Sequence, residues 1–86
     1  MAKIVQKVTE AVQAAFPEGD AFLEYRKGSR KVAGYLVWQG FDSLDHLDRQ
    51  KKMWEILRSR LAPGDAARIS FIFTYTHREY NAMMEH

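Results

Sequence analysis

The stretch AFLEYRKGSRKVAGYLVW, residues 21–38, decides the fold. Ala21, Leu23 and Tyr25 alternate with Phe22 and Glu24. That period of two puts successive side chains on opposite faces of a strand. Lys27-Gly28-Ser29-Arg30 reads as a turn, with Gly28 supplying the positive φ that tight hairpins require. Lys31 to Trp38 reads as a second strand, with Val32, Gly34, Leu36 and Trp38 on one face and Ala33, Tyr35 and Val37 on the other. So short a connection makes the pair antiparallel. Gly34 inside the second strand predicts a bulge or the close approach of another element.

Upstream, Ile4, Val5, Val8, Val12, Ala15 and Phe16 recur at helical spacing, and Pro17 and Gly19 end the helix. Downstream, Gln39 to Ser43 is a connection, followed by a long helix from Leu44 to Leu61. Asp42 or Ser43 is expected to cap it, because a short oxygen-bearing side chain accepts from a free first-turn N–H. Asp45 and Asp48 near its start and Arg58 and Arg60 near its end complement the helix dipole. Leu44, Leu47, Trp54, Leu57 and Leu61 draw its buried stripe, flanked by Met53 and Ile56. Pro63-Gly64-Asp65 reads as a turn. In Arg68 to Thr76, Ile69, Phe71, Phe73 and Tyr75 alternate against Ser70, Ile72 and Thr74, a third strand. Thr76-His77-Arg78-Glu79 has the spacing of a capping box and opens a short last helix with Tyr80, Met83 and Met84.

The order is helix, strand, strand, helix, strand, helix in one domain spanning residues 1–86. The fold class is α/β (α+β): a three-stranded mixed sheet with helices on one face, the long helix serving as a right-handed crossover. Most of the aromatic residues belong in the core of so small a chain. Yet both faces of the strands carry apolar side chains, and a sheet covered on one face alone should show a polar second face. The second face is therefore either partly exposed or covered by a partner, and a second copy of the chain forming a homodimer would serve.

A chain of 86 residues that is 47% hydrophobic and 13% aromatic is too apolar for disorder. With no cysteine, it has no disulfide, thiolate metal site or cysteine nucleophile. No run reaches membrane-spanning length, and the N-terminus lacks an apolar signal core, so a cytoplasmic protein is expected. A net charge of +2 neither demands nor excludes nucleic acid.

No constellation of nucleophile, base and oxyanion donors appears, and the chain reads as a non-enzyme. His46 and His77 sit beside helix caps, where a histidine is ordinarily solvated, and His86 is terminal and expected to fray. Asp42, Asp45, His46 and Asp48 lack the alternate spacing of a calcium loop, and capping explains the aspartates better. No metal and no cofactor are expected, and the glycines make no phosphate loop. Two basic stretches remain: Arg26, Lys27, Arg30 and Lys31 around the hairpin, and Arg49, Lys51 and Lys52 with Arg58 and Arg60 on the long helix. A solvated face explains each of them, and phosphate contact is the alternative.

The element order and second half resemble the BolA-like family, whose fold is related to one type of KH domain. The resemblance rests on Phe41-Asp42-Ser43, on Arg49-Gln50-Lys51 with Met53, Trp54 and Leu57, and on Thr74-Tyr75-Thr76-His77-Arg78-Glu79-Tyr80. The family's loop glycine is Ser43 here, and its later proline and tryptophan are His77 and Tyr80. Those family members that share an iron–sulfur cluster with a monothiol glutaredoxin do so through a histidine at the start of the third strand, here Arg68, and a histidine or cysteine in the loop between the first two strands, here Lys27 to Arg30. An arginine has no lone pair for iron, so cluster ligation is not carried over. The resemblance implies a non-catalytic interaction module binding a protein partner, the glutaredoxin among them, through the third strand, long helix and last helix. Its second implication is a nucleic-acid-binding regulator using Arg49, Lys51 and Lys52 on the long helix and Arg68 on the strand. The Gly-x-x-Gly loop by which KH domains clamp a backbone is missing.

Overall fold

A computed structural model describes residues 3–85; His86 lies outside the described residues. The elements are α1 (Lys3–Ala15), β1 (Asp20–Arg26), β2 (Lys31–Val37), a 3-10 helix (Gln39–Ser43), α2 (His46–Arg60), α3 (Pro63–Ala66), β3 (Ile69–Tyr75) and α4 (His77–Met84). They form a small α+β domain whose sheet has the order β1-β2-β3. β1 and β2 are antiparallel, and β3 runs parallel to β2. No described helix is long and apolar enough to cross a membrane.

The core lies between α1, α2 and one sheet face. Ile4, Val8, Val12 and Phe16 from α1 and its C-terminal end meet Met53 and Leu57 from α2 over Val32, Leu36, Ile69 and Ile72. Each such side chain removed from water contributes about 1.5–3 kcal/mol. Gly34 sits where the backbones of β1 and β2 crowd. A Cβ there would fall 2.0 Å from the Phe22 carbonyl oxygen, at a φ of 158°.

Five local expectations are corrected. The long helix begins at His46, capped by Asp45, whose side chain accepts from Asp48 N–H at 2.8 Å; Gln39–Ser43 closes into a 3-10 helix, so neither Asp42 nor Ser43 is the cap. Starting there turns Arg49, Met53 and Leu57 inward, one residue every turn, and leaves Leu47 on the far side, 64% exposed. Pro63 starts the short helix α3, its fixed φ suiting the first helical position. The left-handed residue of the hairpin is Arg30 (φ 59°), whose N–H donates to Arg26 O at 2.7 Å; Gly28 is not in that conformation.

The fifth correction concerns β3. Val32 pairs with Ile69 and Ala33 with Phe71, so Ser70 is an extra residue, a bulge. The bulge breaks the alternation. Ile69 joins Ile72 and Thr74 on the core face, and Phe71, Phe73 and Tyr75 go to the other. Few aromatics are therefore core residues: Phe16 and Phe41 are fully buried, while Trp38 and Trp54 are half-buried. α4 also departs from the single helical layer, because its Tyr80 ring lies against Phe22 and Tyr35 on the second sheet face.

Candidate functional site

The four residues singled out for partner or nucleic-acid contact do not come together. Arg49 is 5% exposed. Its Nε donates to the carbonyls of Phe41 (3.0 Å) and Leu44 (2.9 Å), and its Nη1 to Glu79 Oε1 at 2.7 Å. It is a fastener joining the 3-10 helix, α2 and α4, and offers no charge to a ligand. Lys51 and Lys52 are exposed on α2, within a turn of Asp48 and Glu55. Arg68 is exposed at the other end of the domain, its guanidinium 6.0 Å from the Tyr25 ring on the helix-covered side of the sheet.

The chemistry gathers instead on the second face of the sheet. Strand register sets rows across it. Phe22, Tyr35 and Phe73 form one row; Glu24, Ala33 and Phe71 form the next; Arg26 and Lys31 close the hairpin end. Neighbouring strands lie about 4.8 Å apart, which brings Phe22 onto Tyr35, and Tyr75 links the Tyr35 ring (centroids 6.0 Å) to Phe73 (6.4 Å). Phe22 stacks on Tyr35 with centroids 5.0 Å apart, and Phe71 and Phe73 lie 4.8 Å apart along β3. Phe22 is 42% and Phe73 52% exposed. A shallow trough of about 520 Å3 runs over this face, lined by Phe22, Glu24, Arg26, Tyr35, Phe71 and Phe73.

The charges at the hairpin end adjoin the rings. The Arg26 guanidinium lies 5.4 Å from the Phe71 centroid, a cation–π contact. Lys31 is its cross-strand partner, and Lys27 and Arg30 occupy the exposed tip. Glu24, 3.5 Å from Arg26, is the carboxylate of this end of the face. At the opposite end Tyr80 rests on Phe22 and Tyr35, and His77 faces Asp20 at 3.5 Å. Pairing with the Tyr35 phenol, and then desolvation, hold the Tyr80 phenol above its ordinary pKa.

Asp45 caps α2 and Asp48 lies in its first turn, and no group of three or more metal-ligating side chains converges among the described residues. A second hollow lies where α2 meets the outer edge of β3, lined by His46, Gln50, Ile72, Thr74 and Tyr75 among others. Gln50 Nε2 donates there to Ile72 O at 2.9 Å and to Thr74 Oγ1 at 3.3 Å, so the edge backbone is partly satisfied from within.

The chain matches no family model, no curated protein and no solved structure in the comparisons with known proteins.

The alternation in residues 21–38 already placed Phe22 and Tyr35 together, and the basic hairpin was plain. Alternation also groups Phe71, Phe73 and Tyr75 on one face of the third strand; the Ser70 bulge takes Ile69 out of that group, and only the strand register puts the group on the face of Phe22 and Tyr35.

Proposed function

We propose that the chain is a non-catalytic binding module whose ligand is a single-stranded nucleic acid held on the open sheet face. The observation that carries the reading is the continuity of the Phe22, Tyr35 and Phe73 row with Arg26 and Lys31 on the same face. Unstacked bases lie flat on aromatic side chains, each contributing about 1–3 kcal/mol without regard to sequence. Phosphates between them need cations at the margin of the rings, where Arg26, Lys27, Arg30 and Lys31 stand exposed. A duplex presents no free base faces to such a row.

Fluorescence anisotropy with a labelled single strand, read over a salt series, tests this. Four phosphate contacts give a slope near −2.8 in log K against log salt, roughly a 50-fold loss between 50 and 200 mM. Binding of a duplex at least as tight as of a single strand, or binding indifferent to salt, would sink the reading.

A protein partner is the second reading. The hollow between α2 and the β3 edge favours it, since it joins two of the elements the BolA-like resemblance points to, the long helix and the third strand. That resemblance names a monothiol glutaredoxin, met without cluster ligation because Arg68 stands where a ligand histidine would. Amide shifts centred on Gln50 and Thr74 on adding a monothiol glutaredoxin would support it; an unchanged spectrum would remove it.

A further inference from the structure

Tyr80 lies on the sheet face as a stacked base would. Its ring is 11° from parallel to Phe22 with centroids 5.5 Å apart, and tilts 34° over Tyr35 at 5.6 Å. Offset stacking of this kind is the arrangement that aromatic rings and bases share. The residue comes from α4, which is fastened at its first turn. The Thr76 hydroxyl accepts from Glu79 N–H at 3.1 Å, Glu79 accepts from Thr76 N–H at 2.8 Å, and Arg49 holds the Glu79 carboxylate. Beyond Glu79 the helix has no buried residue, and Met83 and Met84 are exposed. The Tyr80 ring is what meets the sheet there.

We propose that α4 is a strap: its Tyr80 ring occupies one stacking position, and a single strand must displace that ring to lie on Phe22 and Tyr35. This rests on the sheet face being the binding surface, and adds that the site is partly self-occupied. In the closed form Phe73 is the most open ring of the face at 52% exposed, Phe22 keeps 42% open beside Tyr80, and Phe71 is half-buried. The observed affinity is then the affinity of the opened face reduced by the fraction of molecules in which the strap is off. The anchored first turn lets the rest of α4 lift without unfolding the domain, because Arg49 and Glu79 stay in place.

The experiment compares the full chain with Tyr80→Ala and Tyr80→Phe by anisotropy, using a labelled oligouridylate of about eight nucleotides. Removing the ring is expected to tighten binding about tenfold, within the range that one stacking position is worth. The salt slope stays that of the parent, because no phosphate contact is lost. Tyr80→Phe keeps the ring and loses only the pairing with the Tyr35 phenol, so its affinity should fall between those of the parent and Tyr80→Ala. Thermal unfolding confirms that each variant folds, and Tyr80→Ser replaces the alanine variant if it does not. In the parent, added oligouridylate should also speed amide exchange after Glu79 while leaving the Thr76 and Glu79 amides of the capping box protected. If the parent binds and loss of the ring weakens binding or leaves it unchanged, Tyr80 is part of the platform or outside it, and the strap is wrong while the binding surface stands. If neither parent nor variant binds at low salt, both fall together.

Discussion

Arg49 and Glu79, thirty residues apart in the chain, meet at 2.7 Å, with the arginine buried and the carboxylate at the margin of the core. The arginine also donates to two carbonyls at the entry to α2, and the carboxylate completes the capping box of α4. One guanidinium thus fixes where two helices begin. A side chain that looked like part of a basic surface is instead the joint between the core and the helix that overlies the ring face.

Removing the arginine should cost more than removing its partner. Arg49→Met leaves two carbonyls and a carboxylate without their donor, at about 3 kcal/mol. Glu79→Gln keeps the cap, since glutamine serves at that position, and should cost about 1 kcal/mol. Urea unfolding of both variants measures the order; an equal or reversed cost would refute the fastener role.

The same pair makes stability depend on acid. Arg49 first, and then the Thr76 N–H, hold the Glu79 carboxyl below its ordinary value of 4.5. The folded state therefore keeps this group ionised at pH values where the unfolded chain has protonated it. The contribution is complete above the unfolded pKa and fades as pH falls through the lower folded one. The gap in melting temperature between the parent and Glu79→Gln should be constant near neutrality and close below pH 4.5. A gap unchanged in acid would show that the charge of Glu79 is irrelevant.

The phase of α2 is open to a direct contrast. Leu57 is fully buried and Leu47 is 64% exposed. Leu57→Ala should lose about 3 kcal/mol, as core truncations do. Leu47→Ala should stay within about 0.5 kcal/mol of the parent. Similar losses for the two would mean that the inward stripe runs through Leu47 after all.

What could be read ahead of the structure divides along a physical line. Local patterns held: the hairpin, the amphipathic α1, the Thr76 capping box and the third strand all follow from alternation, helical spacing or turn chemistry within a few residues. Features that depend on one residue's context did not. Alternation cannot disclose an extra residue such as Ser70, because its partner strand is distant in sequence. Hydropathy cannot place Arg49 inside, because the groups that satisfy it are two carbonyls of the 3-10 segment before α2 and a carboxylate of α4. Leu47 meets the matching limit: its apolarity alone does not fix the turn on which the helix starts.

Gly28 and Arg30 show the same limit at the scale of one turn. Glycine is the residue expected to adopt positive φ, yet here Arg30 carries it. The left-handed conformation costs a residue with a Cβ about 1–2 kcal/mol, part of which glycine regains against its greater unfolded freedom. Arg30→Gly should therefore stabilise the fold by up to about 1 kcal/mol. Gly28→Ala meets open space and should be nearly neutral. Gly34→Ala is the opposite case, driving a methyl into the Phe22 carbonyl, and should cost at least about 3 kcal/mol. Denaturation of the three variants ranks them; a stable Gly34→Ala would mean that β1 and β2 are less closely packed than described.

The binding surface itself is separable from the fold. Phe73 is 52% exposed, so Phe73→Ala should leave stability within about 1 kcal/mol of the parent. It should nonetheless weaken single-strand binding at least about fivefold, the lower end of what one stacked base contributes. The charges give an independent arm. Arg26 and Lys31 flank the rings, and the surface pairing of Arg26 with Glu24 at 3.5 Å is too weak to withhold it. Reversing both, Arg26→Glu with Lys31→Glu, should flatten the salt slope by about 1.4, two contacts of a single strand. Lys51→Glu with Lys52→Glu makes the same change in net charge on α2, away from the rings. If only overall charge mattered, the two double variants would behave alike. If the ring face is the site, the hairpin pair alone changes the slope, and the helix pair binds nearly as the parent does. Loss confined to the helix pair would return the site to α2, despite the burial of Arg49.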